Sequence, residues 1–142
     1  MIASSYALFM LNYARQRVRD VLQIPRMAVL ATGGPAGVQA GEFPCEAVGL
    51  SLYLLVPKTS DHLFNLEQNS AVTVLTREWE LKGDVQVILP DAPGLNLDLI
   101  RESGPYANWL DWSVLVRVEP YQVQIRREAG WGTLETFDLK TH

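Results

Sequence analysis

The stretch GLSLYLLVPKTSDHLFNLEQNSAVTVL, residues 49–75, sets a short helix with a marked start between two strand-like runs. From Leu50 to Val56 the even positions (Leu50, Leu52, Leu54, Val56) are apolar, and so are the odd positions Tyr53 and Leu55. Side chains of a strand alternate between two faces, so one face meets a core and the other needs a cover of its own, a second copy or, in a monomer, the N-terminal helix. Pro57, the hydroxyls of Thr59 and Ser60, and Asp61 then open a helix. A hydroxyl satisfies the free amides of a first turn, and an acid beside them suits the helix dipole. After Asn69 the β-branched run AVTVLT returns to strand.

Upstream, residues 4–23 contain no Gly or Pro. They carry Leu8, Leu11, Val18, Val21 and Leu22 at helical spacing, with Ser4 or Ser5 as cap and Pro25 as the stop. RMAVLAT changes to strand period, GGPAG at 33–37 reverses the chain, and VQAGEFPCEAV completes a hairpin. Downstream, WELKGDVQVIL pairs with AVTVLT across the charged tip Arg77-Glu78. The segment PDAPGLNLDLIRESGPYANWLDW breaks the pattern, with a short helix expected around Leu95, Leu97, Leu99 and Ile100. SVLVRVE and YQVQIR read as two further strands, the second half-exposed, and GWGTLETFDL reads as an edge strand. Six or seven strands in consecutive hairpins predict an antiparallel barrel in a single domain over 1–142, mainly β, with an N-terminal helix and short inserted helices.

Composition narrows the function classes. A net charge of -4 and a pI near 5.1 argue against nucleic acid held by an overall basic surface. The lone Cys45 makes no internal disulfide, and His62 and His142 give no zinc-ligand spacing. The apolar run YALFML is too short to span a bilayer, and NYARQRVRD follows it in place of a cleavage site, so the expectation is a cytoplasmic protein without membrane attachment.

The order ARQRVRDVLQIPRMAVLAT, Gly/Pro turn, GLSLYLLV, TSDHLFNLEQNSAVTVL and WELKGDVQVI resembles the FMN-binding split barrels related to pyridoxamine 5'-phosphate oxidase. The similarity covers roughly residues 14–90, and the spacing of Ser60, Asn65-Leu66 and Asn69 carries most of it. The resemblance implies a homodimer of six-stranded Greek-key barrels with FMN in two clefts along the interface. It implies that the backbone of the first strand, from Arg26 through Met27, Ala28 and Val29 to Ala31, runs beside the flavin. Leu55, Val56, Ser60 and His62 would meet the ribityl phosphate, and the turn at Glu78 and Trp79 would border the ring. The oxidases of that family carry Arg and Lys where Asp61 and His62 stand and Lys where Ala31 stands, which argues against true pyridoxamine phosphate oxidation. The S-x-H-x-x-N-L arrangement also looks like a branch related to haem-utilisation proteins, so haem or a deazaflavin stands beside FMN as ligand.

The residues themselves leave two readings at each position. The helix start at Ser60 is either a plain cap or a seat for an anionic cofactor tail, because free amides and the dipole attract phosphate. His62 is either a packed side chain or an imidazolium beside phosphate. Arg26 is either a phosphate fork or a solvated charge. Cys45 reads as a small apolar strand residue. Of the tryptophans 79, 109, 112 and 131, only Trp79 is singled out as a ring partner. No nucleophile, base and orienting group assemble, which decides little for a flavin protein because the cofactor carries the redox chemistry.

Overall fold

The structure, a computed structural model, describes residues 2–23, 27–88, 94–101, 104–126 and 134–139. Helix α1 (Ile2–Leu22) leads into strands β1 (Met27–Thr32), β2 (Gln39–Val48) and β3 (Ser51–Pro57). Helix α2 (Asp61–Gln68) precedes β4 (Ala71–Leu75) and β5 (Trp79–Ile88). A 3-10 turn (Asp98–Ile100) and the one-turn α3 (Ala107–Leu110) precede β6 (Ser113–Arg126) and β7 (Leu134–Asp138).

The sheet runs β3-β2-β1-β4-β5-β6-β7, all antiparallel, and β3 also pairs with β6 from Leu52↔Val118 to Pro57↔Ser113. Six strands therefore close a barrel and β7 adds to the outside of β6. Closure satisfies edges that would otherwise template aggregation. The expectation of hairpins throughout fails at one place: α2 carries the chain across the barrel end, so β4 pairs with β1 and not with β3. That crossing is the Greek-key step.

The barrel interior is filled by Leu30, Leu52, Leu54, Val56, Val74, Leu81, Val116 and Val118, all fully buried. Ala14, Val18 and Leu22 of α1 join this cluster and plug one side of it. The odd face of β3 is covered as the sequence demands, and the cover comes from the same chain: Tyr53 and Leu55 pack with Leu97, Leu99 and Leu115, flanked by Ile100, Tyr106 and Leu110. The broken segment before β6 is thus a lid on β3. Glu46 fastens it, its Oε1 accepting from Leu99 N–H at 3.0 Å.

SVLVRVE and YQVQIR prove to be one 14-residue strand. Pro120 lies within it and offers no N–H to the ladder, a defect normally confined to edges and bulges. Here the register against β5 shifts between Lys82 and Gly83, with Gly83 opposite Pro120 and Lys82 opposite Gln122. The extra residue absorbs the proline, and Gly83 permits the close approach: a Cβ there would lie 2.6 Å from Glu119 O. Val123 and Ile125 are buried while Arg126 is exposed, so the alternation read in YQVQIR holds.

Candidate functional site

The start of α2 is an N-cap. Ser60 is extended, its Oγ accepts from His62 N–H at 3.1 Å, and its carbonyl accepts from Leu63 N–H at 3.1 Å. Two of the first amides are thus occupied within the chain. Asp61 is exposed on the first turn, where the dipole favours it.

His62 turns inward. It is 5% exposed, its Nδ1 lies 2.8 Å from Thr32 Oγ1, and the Phe43 ring meets it edge-on at 5.3 Å. A Cβ on Gly41 would come within 3.3 Å of its Nε2, so that glycine leaves room for the ring. Burial lowers the imidazole pKa from its usual 6.5, with Asp61 opposing the shift. Thr32 Oγ1 also accepts from Asn65 Nδ2 at 3.1 Å. Thr32 can donate to Nδ1 when the neutral ring carries its own proton on Nε2.

Asn65, fully buried, ties the helix to the β1–β2 loop. Its Oδ1 accepts from Ala36 N–H at 2.9 Å and its Nδ2 donates to Gly37 O at 2.9 Å. Gly34 packs so closely on Asn65 that an added Cβ would sit 2.9 Å from Oδ1. The S-x-H-x-x-N pattern is therefore a clamp: Ser60 starts the helix, while His62 and Asn65 bolt it to Thr32 and to the loop at 33–37.

That loop walls a groove of about 260 Å³ lined by Ala31, Thr32, Gly33, Val38, residues 71–73 of β4, Lys82 and Tyr121. A second hollow of about 160 Å³ is bounded by Leu75, Thr76, Trp79, Glu80, Gln124 and Arg126. Thr73 with Lys82 and Leu75 with Glu80 are register partners two residues apart, so the hollows follow one another along β4 and β5.

No protein-family model matches the sequence, and no curated protein does. Solved structures do. One is a Clostridium acetobutylicum protein related to general stress protein 26 of B. subtilis, of the pyridoxine phosphate oxidase family: TM-score 0.62, 12% identity, covering 91% of this chain and 96% of that one. Another is an FAD-binding protein of Mesorhizobium loti: TM-score 0.57, 19% identity, 73% and 85% covered. A haem-binding protein of Mycobacterium smegmatis matches at TM-score 0.63 and 16% identity, over 88% of this chain and 57% of that one. The chain has the pyridoxamine 5'-phosphate oxidase-like split-barrel fold.

On this split barrel Ser60 and His62 meet at the start of α2 and Trp79 bounds the smaller hollow, while the other residues singled out from sequence are spread over β1 and β3. Met27, Ala28 and Val29 lie on β1, with Met27 exposed, Val29 half-buried and Ala28 pointing into the core. Leu55 and Val56 are fully buried on opposite faces of β3, one under the lid and one in the barrel. Trp79 is 2% exposed in the core, with its indole N–H unpartnered among the described residues. Arg26 lies outside the described residues, as do Trp131 and His142. Sequence reasoning missed Lys82, Tyr121 and Val38. Only pairing across β4, β5 and β6 brings them to the end of β1, and no local pattern carries that signal.

Proposed function

We propose that the split barrel binds a flavin, FMN first among the candidates, along the outer face of β1 and β4, and works as a pair of copies. The observation that carries this is the groove at the end of β1 and the hollow that continues it. Its floor is small at Ala31 and Ala71, a hydroxyl stands at Thr73, and a cation stands at each end, Lys82 and Arg126. A flat ring fits over small strand residues, and a phosphate tail needs a cation or free amides. The FAD-binding neighbour supports the same class of ligand. At about 260 Å³ the larger groove falls short of the roughly 300–1,000 Å³ usual for small-molecule sites, which favours a cleft completed by a second copy.

In this reading Ser60, His62 and Asn65 shape the site by fixing α2 and the 33–37 loop, and Lys82 meets the anionic tail. The backbone of Met27, Ala28 and Val29 flanks the ring, and Arg26, outside the described residues, is a candidate partner for the phosphate. The flavin would supply hydride or electron transfer, making the protein an oxidoreductase of a small substrate with a nicotinamide or oxygen as electron partner. The chain's own part is position and charge.

Haem is the second reading, on the strength of the haem-binding neighbour. Against it, His62 is engaged with Thr32, and burial pushes the Cys45 thiol up to about 12, so neither is a ready axial ligand. Deazaflavin shares the ring shape and competes for the same surface.

The absorption spectrum of the purified protein and fluorescence titrations with FMN and riboflavin test the proposal. FMN should bind more tightly than riboflavin, and Lys82→Gln should shrink that difference about tenfold, the loss of one charge-assisted contact. A Soret band would assign haem, and failure to bind either flavin would end the flavin reading.

A further inference from the structure

A run of exposed apolar side chains lies on the first half of α1. Along α1, Tyr6 is 67% exposed, Leu8 58%, Phe9 66%, Met10 44% and Tyr13 54%. Tyr6, Phe9, Met10 and Tyr13 follow the i, i+3, i+4, i+7 spacing of one helix stripe. At about 100° per residue that stripe points roughly 130° away from the Ala14, Val18 and Leu22 face that plugs the barrel. Even Ala7, which shares the core-facing side, is exposed, so the first half of the helix has left the barrel.

No residue from 1 to 14 is charged. A helix that is apolar around most of its circumference belongs in a protein interior, and an isolated helix of this length is marginal in water. A membrane-surface helix would carry a Lys- and Arg-rich polar face, and this half carries Ser5 and Asn12. No helix among the described residues is long and apolar enough to cross a bilayer.

We propose that the first half of α1 is a self-association arm, its Tyr6–Phe9–Met10–Tyr13 stripe packing on the same stripe of a second copy. The inference rests on the paired reading above and supplies a surface for it. At these exposures the four side chains of the stripe together offer on the order of 450 Å² per copy, about 900 Å² per pair. That is the size of a small, weak interface, below the roughly 1,200 Å² of stable ones, so association through it is concentration-dependent. A stripe meeting its own copy forms a self-complementary contact, the arrangement two-fold dimers use.

Light scattering of the full chain over a concentration series, with the Phe9→Ser/Tyr13→Ser variant beside it, decides the matter. The wild type should associate and the variant's dissociation constant should rise at least tenfold, with unchanged circular dichroism and with Phe9→Leu behaving as wild type. Equal association of wild type and double variant overturns the arm while leaving the pairing intact. A wild type monomeric at every concentration removes both. Co-sedimentation of the wild type with phosphatidylcholine–phosphatidylglycerol vesicles, lost in the variant, would assign the stripe to lipid and overturn the proposal.

Discussion

His62, picked out from sequence, is a packed side chain in the fold. Its partners are the Thr32 hydroxyl and the Phe43 edge, and burial depresses its pKa below the 6.5 of a free imidazole. The unfolded chain takes up a proton more readily than the folded one as pH falls through 6.5. The His62 contribution is therefore present above that pH and lost below it. The melting temperature should fall between pH 7 and pH 5, and His62→Gln should flatten that slope, as calorimetry across the range would show. An unchanged slope in the variant would mean that the ring titrates alike in the folded and the unfolded chain. The cap at Ser60 was legible because capping is local, set by a hydroxyl two residues before the amide it accepts from. The direction of His62 was not, since it depends on Gly41 leaving space on β2 and on Thr32 across the barrel wall.

Among the elements, β6 departs furthest from its local pattern. Pro120 interrupts the alternation at the sequence level, which is why two strands were expected where one runs through. The reconciliation lies in β6 itself, where Tyr121 is the extra residue between Gln122, opposite Lys82, and Pro120, opposite Gly83. A methyl group at position 83 would meet Glu119 O at 2.6 Å and Val118 Cγ1 at 2.8 Å, backbone and packed core that have little room to give. Gly83→Ala should cost about 1–3 kcal/mol, the range for overpacking, read as a lower denaturation midpoint at constant m-value. The other strands were legible because period two, β-branched content and the turn residues at 33–37 and 49 are all local signals. Partner choice across the barrel is not local, so the β4–β1 pairing and the lid over β3 came only with the fold.

At the scale of the molecule, the two apolar faces of β3 were read correctly as needing two covers, and the second cover was misassigned. A dimer partner or α1 was expected over Tyr53 and Leu55, whereas the Leu97–Leu99 segment of the same chain fills that role. Leu99→Ala should cost about 2–5 kcal/mol, as a fully buried leucine does. It should also increase binding of an apolar dye at sub-denaturing urea, and a variant that melts like wild type would mean the lid contributes little. Pairing of two copies therefore draws no support from β3, and rests on the open groove and on α1. The β3–β6 ladder carries a different consequence, one for biosynthesis. Leu52 waits for Val118, so on the ribosome the first three strands emerge with an unsatisfied edge long before their mate is made. Barrel closure becomes a late event, completed only after most of the chain has left the exit tunnel, and chaperones that shield nascent β edges would find their substrate in that interval.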